Sequence, residues 1–400
     1  MGCAANKKLA SPVGDPSRED DNTVQTRMFA LLSLPRYWSE TGIHIPIYSI
    51  FQSAARVKVC YHGSAIGSSG RHRPLEEVAM VRSRFAVFAW ANVAYNLLVI
   101  LWGAFVRATG SGAGCGDHWP LCDGQVIPRA PSTEMLIEFT HRLTSGVALL
   151  GAVALLVWAF RAYERGHRVR QGALAVMVFM LLEALLGAGL VLFELVAHNA
   201  SASRAVAMAL HLVNTFLLLG ALTLTAWWAS GGAPVSLRGH GRLPWLLGVG
   251  LVGTALVGSS GAVTALGDTL LQHGVLPGGL NQPLGAASHP LVQMRIIHPI
   301  IGTLVGIYTL FLAQAVTARR SELLARGFAW GLVALFFLQI LLGGLNVTLK
   351  APVWMQLVHL LMADATWICL VLLSAVALAV PEERTAPAPL PRTGPAALRP

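Results

Sequence analysis

The chain has 400 residues, of which 54% are hydrophobic and only 12% charged, with a mean hydropathy of +0.60. A soluble domain carries about 25% charged residues, so the composition excludes an ordinary soluble enzyme and predicts a polytopic membrane protein. The net charge of +10 is not gathered into basic blocks with interleaved aromatics, which argues against a nucleic-acid partner.

Residues 1–79 are polar and of mixed charge ("SREDD") and contain no span. The start "MGCAAN" misses the myristoylation pattern at Asn6, and no signal-peptide core precedes Cys3. This stretch is expected to be a poorly ordered cytoplasmic tail, or an upstream extension of a domain that starts near Met80. Eight apolar runs follow, at roughly 85–106, 136–160, 172–194, 204–228, 243–265, 292–316, 327–348 and 353–380, each long enough to cross the hydrocarbon layer. Between alternate runs lie "RAYERGHRVR" with four Arg, "SLRGHGR" with two and "ARRSELLAR" with three. Excess Arg marks cytoplasmic loops. Both termini are then cytoplasmic too, and loops 107–135, 195–203, 266–291 and 349–352 face outside. The tail 381–400 is Pro-rich and expected to be disordered.

The runs repeat. "GAFVRATGSGAG" resembles "GSSGAVTALGD", "THRLTSGVALLG" resembles "IHPIIGTLVGIY", "EALLGAGLV" resembles "QILLGGLNV", and "ALHLVNTFLLL" resembles "QLVHLLMADAT". The pairs Thr109/Thr264, His141/His298, Gly187/Gly343 and His211/His359 lie 155, 157, 156 and 148 residues apart. The expected fold is therefore an all-α integral membrane protein, its eight helices forming two pseudo-symmetric four-helix bundles at 80–230 and 240–380, related as parallel repeats.

Only four of the thirteen histidines fall inside the spans: His141, His211, His298 and His359. Each lies on an even-numbered span, 5–8 residues in from its outer end, about 8–12 Å deep at the helical rise per residue. Each half thus offers two imidazoles at similar depth on two helices, which is what axial ligation of a heme iron in a bundle requires. An isolated intramembrane His is often a hydrogen-bonded packing residue, but a duplicated set of four ionisable groups points to function. Zinc is disfavoured because no carboxylate or Cys shares that level in both halves.

The halves are unequal. Glu138 precedes His141 by three residues and shares its helix face, where the second half has Arg295 before His298. Glu138 reads as a proton acceptor, a stabiliser of a cationic intermediate or a plain interfacial carboxylate. Arg295 reads as a propionate partner or as a residue snorkelling to the surface. Only the first half has the polar loop "GCGDHWPLCDGQVIP", with Cys115 and Cys122 on the side where disulfides persist. Of the remaining cysteines, Cys369 reads as a small core residue, and no Cys-x-x-Cys or zinc spacing occurs. Gly187, Gly189, Gly343 and Gly344 suit close helix packing. Glu183 and Asp364 are proton-path candidates or hydrogen-bonding residues, and Trp119 suits an interface anchor.

"GAFVRATGSGAGCGDHWPLCDGQVIP" followed by "IEFTHRLTSG", and later "HLVNT", "RIIHP" and "QLVHLLMADATW", resemble the heme A synthase family from Met80 to about Val380. The resemblance implies an enzyme that oxidises a ring methyl of heme O to a formyl group, giving heme A for terminal oxidase assembly. It implies heme b held by His298 and His359 as axial ligands, and substrate heme O received at His141 and His211. It further implies Glu138 as the catalytic acidic residue, Arg107 and Arg295 as propionate contacts, and a Cys115–Cys122 disulfide that is either a structural lid over the pocket or a redox-active pair. Some members carry a second cysteine pair in the loop corresponding to 266–291; this chain has none there. The expected partners are heme O, membrane lipid, a heme O synthase, an electron donor and acceptor, and optionally a second copy of the chain. The expected location is a bacterial plasma membrane, with the mitochondrial inner membrane as alternative. A di-heme b electron-transfer protein is the competing reading of the four histidines. A prenyltransferase is disfavoured because no DDxxD motif occurs.

Overall fold

Polar residues at the ends of the apolar runs set the helix starts. Ser132 Oγ accepts the Met135 N–H (3.2 Å) and Ser201 Oγ accepts the Arg204 N–H (3.2 Å), each satisfying one of the donors a helix start leaves unpaired. Two histidines outside the spans do the same work: His167 Nδ1 accepts from Val169 N (3.2 Å) and His289 Nδ1 from Leu291 N (3.3 Å). Pro290 follows at the first helical position, where its missing N–H costs nothing.

The computed structural model describes residues 75–278 and 289–380. The expected N-terminal extension up to residue 74, the Pro-rich tail from 381 and part of outer loop 266–291 lie outside the described residues. Among the described residues eight α-helices appear: α1 Leu75–Ala108, α2 Thr133–Ala162, α3 Arg168–Leu192, α4 Ala202–Ala229, α5 Leu243–Gln272, α6 Pro290–Thr317, α7 Leu323–Thr348 and α8 Val353–Ala377. Among the described residues no strand longer than an isolated bridge occurs. All eight helices are long and apolar enough to cross a membrane, and the chain is a multi-pass membrane protein.

Several helices outrun the apolar runs, because charged residues at their ends find partners. α1 begins at Leu75 rather than 85, and its Arg82 lies over the Tyr163 ring at 5.5 Å. α3 begins at Arg168 rather than 172, and Arg170 lies 4.0 Å above the Phe160 ring. α5 runs to Gln272 rather than 265, because Asp268 pairs with Arg295 (Oδ1–Nε 3.1 Å) and Thr269 Oγ1 accepts from Arg107 (2.7 Å).

Within residues 80–230 the helices close a ring: α1 packs on α2 and α4, α2 on α3, and α3 on α4. The same ring recurs as α5 on α6 and α8, α6 on α7, and α7 on α8. These are the two expected four-helix bundles. The first core gathers around Phe85, Leu155, Val176, Leu219 and Leu222, the second around Leu247, Leu312, Leu332 and Leu370. Lipid is as apolar as leucine, so close packing and interhelical hydrogen bonds, rather than escape from water, hold such helices together.

The halves join through α4, α5 and α8, with α1 reaching across. Trp367 of α8 stacks on Phe216 of α4 (4.9 Å between ring centroids) and donates its indole N–H to the Phe216 carbonyl (2.6 Å). Gly258 of α5 makes room for that phenyl ring; a Cβ there would stand 2.7 Å from Phe216 Cε2. Arg107 at the end of α1 donates to the Ala265 carbonyl (2.6 Å), Thr269 Oγ1 (2.7 Å) and Gln356 Oε1 (2.9 Å) of the second half.

Truncating Trp367 removes both the stack and the indole hydrogen bond. Trp367→Ala is expected to cost about 3 kcal/mol or more, read as a lower midpoint for thermal unfolding in detergent. Trp354→Ala, at an exposed position of the same helix, should leave the midpoint unchanged.

Candidate cofactor and substrate site

The four intramembrane histidines sit in one recurring setting. Each imidazole lies against a glycine of the helix before its own: His141 on Gly103 of α1, His211 on Gly187 of α3, His298 on Gly261 of α5 and His359 on Gly343 of α7. A Cβ on these glycines would come within 2.9, 3.8, 3.1 and 3.4 Å of the respective rings. Two of the four positions, Gly103 and Gly261, are therefore too tight for a free choice of side chain. Gly187 and Gly343 stand out in the sequence; Gly103 and Gly261 were missed, because the Thr109/Thr264 register of the repeated segments sets Gly103 opposite Gly258 rather than Gly261.

In the second half, the His298 and His359 rings stand 6.4 Å apart between centroids, at an interplanar angle of 87°. Each has its Nδ1 occupied by a side chain of the preceding helix. Ser260 Oγ lies 3.0 Å from His298 Nδ1, and the Gln339 side-chain amide lies 3.0 Å from His359 Nδ1. Ser260 Oγ donates to the Val257 carbonyl and so accepts the His298 Nδ1–H, which leaves Nε2 for a metal. The Gln339 amide donates to His359 Nδ1, and a metal on Nε2 would require that amide to turn so that its oxygen accepts an Nδ1–H. A metal bonded to two imidazoles at about 2 Å each would place the ring centroids roughly 6 Å apart. The donor set and its spacing therefore fit a bis-histidine heme iron.

The first half is built differently. His211 Nδ1 lies 2.9 Å from Glu183 Oε1. That carboxylate also receives the Thr215 hydroxyl (2.5 Å) and the Asn214 amide (2.6 Å), and Asn214 donates in addition to the Phe179 carbonyl (2.9 Å). His141 Nδ1 is buried without a hydrogen-bond partner. Counted from the glycine under each ring, Gly103 and Gly261, the place of Ser260 is taken in this half by Trp102, whose indole N–H is directed to Thr140 Oγ1 (3.2 Å) and the Ile137 carbonyl (3.3 Å) instead. One histidine of the first pair is thus tightly held and the other is not.

Glu138 is buried, and both of its oxygens are engaged. Oε2 accepts the Cys115 N–H (2.9 Å), and Oε1 accepts from Arg142 (Nε 3.2 Å). Arg142 donates onward to the His118 (2.6 Å) and Leu121 (2.7 Å) carbonyls. The cysteine loop is consequently tied to α2 by a carboxylate–guanidinium pair as well as by the Cys115–Cys122 disulfide, which is formed. Arg142 escaped the sequence reading, although its i, i+4 spacing from Glu138 was the available signal. Of the expected propionate contacts, Arg107 is directed to the junction between the halves and Arg295 to Asp268. Asp364 is fully buried and makes no side-chain hydrogen bond among the described residues, so it joins neither histidine pair.

Residues 86–371 match the COX15-CtaA family, described as cytochrome oxidase assembly protein. The chain belongs to this family. It is the heme A synthase family that the motifs resemble, and several relatives carry that name. The chain is 30% identical over 227 residues to a heme A synthase of Alkalihalophilus pseudofirmus, covering 54% of this chain and 71% of that protein. It is 42% identical over 106 residues to a heme A synthase of Geobacillus kaustophilus, covering 26% and 33% of the two chains. A protoheme IX farnesyltransferase of Thermus thermophilus is 52% identical over 296 residues, which are 74% of this chain but 49% of that protein. The chain spans about half the length of the Thermus relatives it matches.

Removing Glu138 leaves the Arg142 guanidinium and the Cys115 N–H without their acceptor. Breaking a buried pair from one side costs about 3–5 kcal/mol. Glu138→Ala should therefore lower thermal stability and speed proteolytic cleavage within the 109–132 loop, read by intact-mass analysis. Cleavage no faster than in the wild type would mean that the disulfide alone holds the loop.

Proposed function

We propose that the chain is a heme A synthase: a membrane oxidoreductase that converts heme O to heme A by oxidising a ring methyl to a formyl group. The observation that carries this reading is the unequal anchoring of two repeated histidine pairs. A pair with both Nδ1 atoms occupied suits a permanent cofactor. A pair with one Nδ1 occupied and one free suits a heme that must enter and leave. His298 and His359 would hold heme b, which when bound supplies one-electron transfer. His141 and His211 would receive heme O through its iron.

Glu138 lies one helical turn outward of His141 on the same face of α2. Its negative charge is the group we assign to stabilise positive charge developing at the methyl carbon. Arg142 and the Cys115 N–H hold that carboxylate in place, so the charge is positioned before the substrate arrives, which is how electrostatic stabilisation is most effective. The loop above it, closed by Cys115–Cys122, limits access of water from the outer side. Arg107 and Arg295 stand near the outer ends of their helices and would meet propionates only by giving up part of their present contacts.

The Thermus relatives support a working partner. A protein named protoheme IX farnesyltransferase, half of which this chain covers, suggests that a heme farnesylating enzyme operates beside this one and supplies its substrate. The absence of an aspartate-rich motif here argues against prenyl transfer by this chain itself. The three Arg-rich loops support a bacterial plasma membrane orientation with both described ends cytoplasmic.

The test is to express the chain with a heme O synthase in a host lacking heme A, then extract and separate the hemes. Heme A should appear with the wild-type chain. It should vanish with His141→Ala while one equivalent of heme b stays on the purified protein. His298→Ala should lose the heme b. Two equivalents of unmodified heme b and no heme A would instead support a di-heme electron-transfer protein.

A further inference from the structure

Among the polar contacts around the four histidines, one pair of equivalent positions differs in charge. Glu183 and Gln339 stand 156 residues apart, the same offset as Gly187 and Gly343 four residues later. Each reaches the Nδ1 of the second histidine of its half: Glu183 Oε1 accepts from His211 at 2.9 Å, and the Gln339 amide nitrogen donates to His359 at 3.0 Å while its oxygen accepts the Ala363 N–H at 2.9 Å. The duplication has kept the contact and exchanged a carboxylate for a neutral amide.

The carboxylate is fixed rather than incidental. Asn214 and Thr215 side chains both bond it, and the equivalent positions of α8, three and four residues after His359, are Met362 and Ala363, whose side chains supply no donor, the Gln339 oxygen being met only by the Ala363 backbone N–H. The first half thus has a built cradle for a charged acceptor, and the second half has none. A hydrogen bond to an ionised acceptor is roughly twice as strong as one to a neutral acceptor. Such a partner also makes a ligating imidazole a stronger donor. Negative charge beside the ligand favours ferric over ferrous iron, which is one of the levers a protein has on heme potential.

We propose that Glu183 is a positioning residue acting through His211, and that the Glu183/Gln339 difference sets the iron of the first half at a lower potential than the iron of the second. The couple concerned is ferric/ferrous, one electron with no bond made or broken. The consequence is directional: an electron leaving the first half runs downhill to the second. The inference rests on heme occupying both histidine pairs, as proposed above.

The experiment uses the full-length protein purified with heme b, its occupancy first measured by pyridine hemochrome and by loss on His298→Ala. Redox titration then follows the optical spectrum. Gln339→Glu should shift the bound heme b at least tenfold toward the ferric state, a fall of about 59 mV for one electron. Gln339→Leu, which introduces no charge and guards against misfolding of the first variant, should move the same potential upward. With heme loaded in the first half, Glu183→Gln should raise the potential of that heme alone. A purely structural role would alter occupancy or thermal stability and leave the potentials of the bound heme where they were. Full occupancy with unmoved potentials in Gln339→Leu and Glu183→Gln overturns the inference. Failure of His298→Ala to reduce occupancy overturns the heme-binding reading instead.

Discussion

A polar side chain inside hydrocarbon has to find its partner within the protein, since no water is there to replace it. In this chain that requirement decides more of the structure than apolar packing does. Arg107 cannot reach a partner within its own bundle and is satisfied by Ala265, Thr269 and Gln356 across the junction. Asp268 and Arg295 satisfy one another between α5 and α6. The same demand extends α5 beyond its apolar run, as far as Gln272. It also holds the outer ends of the two bundles together at the level where the histidines lie. The Phe216–Trp367 contact follows the same rule, since the stacked indole also donates its N–H to the Phe216 carbonyl.

Duplication explains why the site has the geometry of a pair of pairs. Four helices copied once give two bundles, and a His–Gly contact between neighbouring helices, present twice in each bundle, gives four. The glycine leaves the space into which the ring fits, so ring placement follows from backbone approach and was inherited by both halves. What diverged is the layer behind the rings. Trp102 stands where the second half has Ser260, and Glu183 has Gln339 as its counterpart. Those changes leave the histidine positions untouched while altering how firmly each ring is held and what charge lies behind it.

The sequence carries the fold almost completely, because span number and repeat follow from hydropathy and near-constant offsets, which are one-dimensional signals. Helix ends such as Leu75 and Gln272 were misplaced because a charge reads as a boundary unless its partner is known, and the partners of Asp268 and Arg82 lie on other helices. The histidines were legible by depth and duplication. Their outer partners were visible as letters: Glu183 and Gln339 open the two matching segments. That they touch Nδ1 depends on helix rotation about its axis, which no pattern of apolar residues sets when the helix is apolar all round. The same limit hid the role of Arg142, four residues from a carboxylate already singled out.

The cysteine loop shows how far one carboxylate reaches. Glu138 accepts the backbone N–H of Cys115 itself, so the disulfide and the buried charge are adjacent along one chain of contacts rather than two separate devices. Arg142 extends that chain to the carbonyls of His118 and Leu121, on the far side of the loop. The loop is therefore clamped at Cys115, His118 and Leu121, and its anchor is the helix turn that also carries His141. A shift of the His141 helix would pull the loop with it, and a shift of the loop would tilt the charge beside the histidine. In the second half Arg295, at the position equivalent to Glu138, pairs with Asp268 of α5. The imidazole without a side-chain partner at Nδ1 thus sits on the same helix turn as the anchor of the cysteine loop, so ring and loop are mechanically coupled.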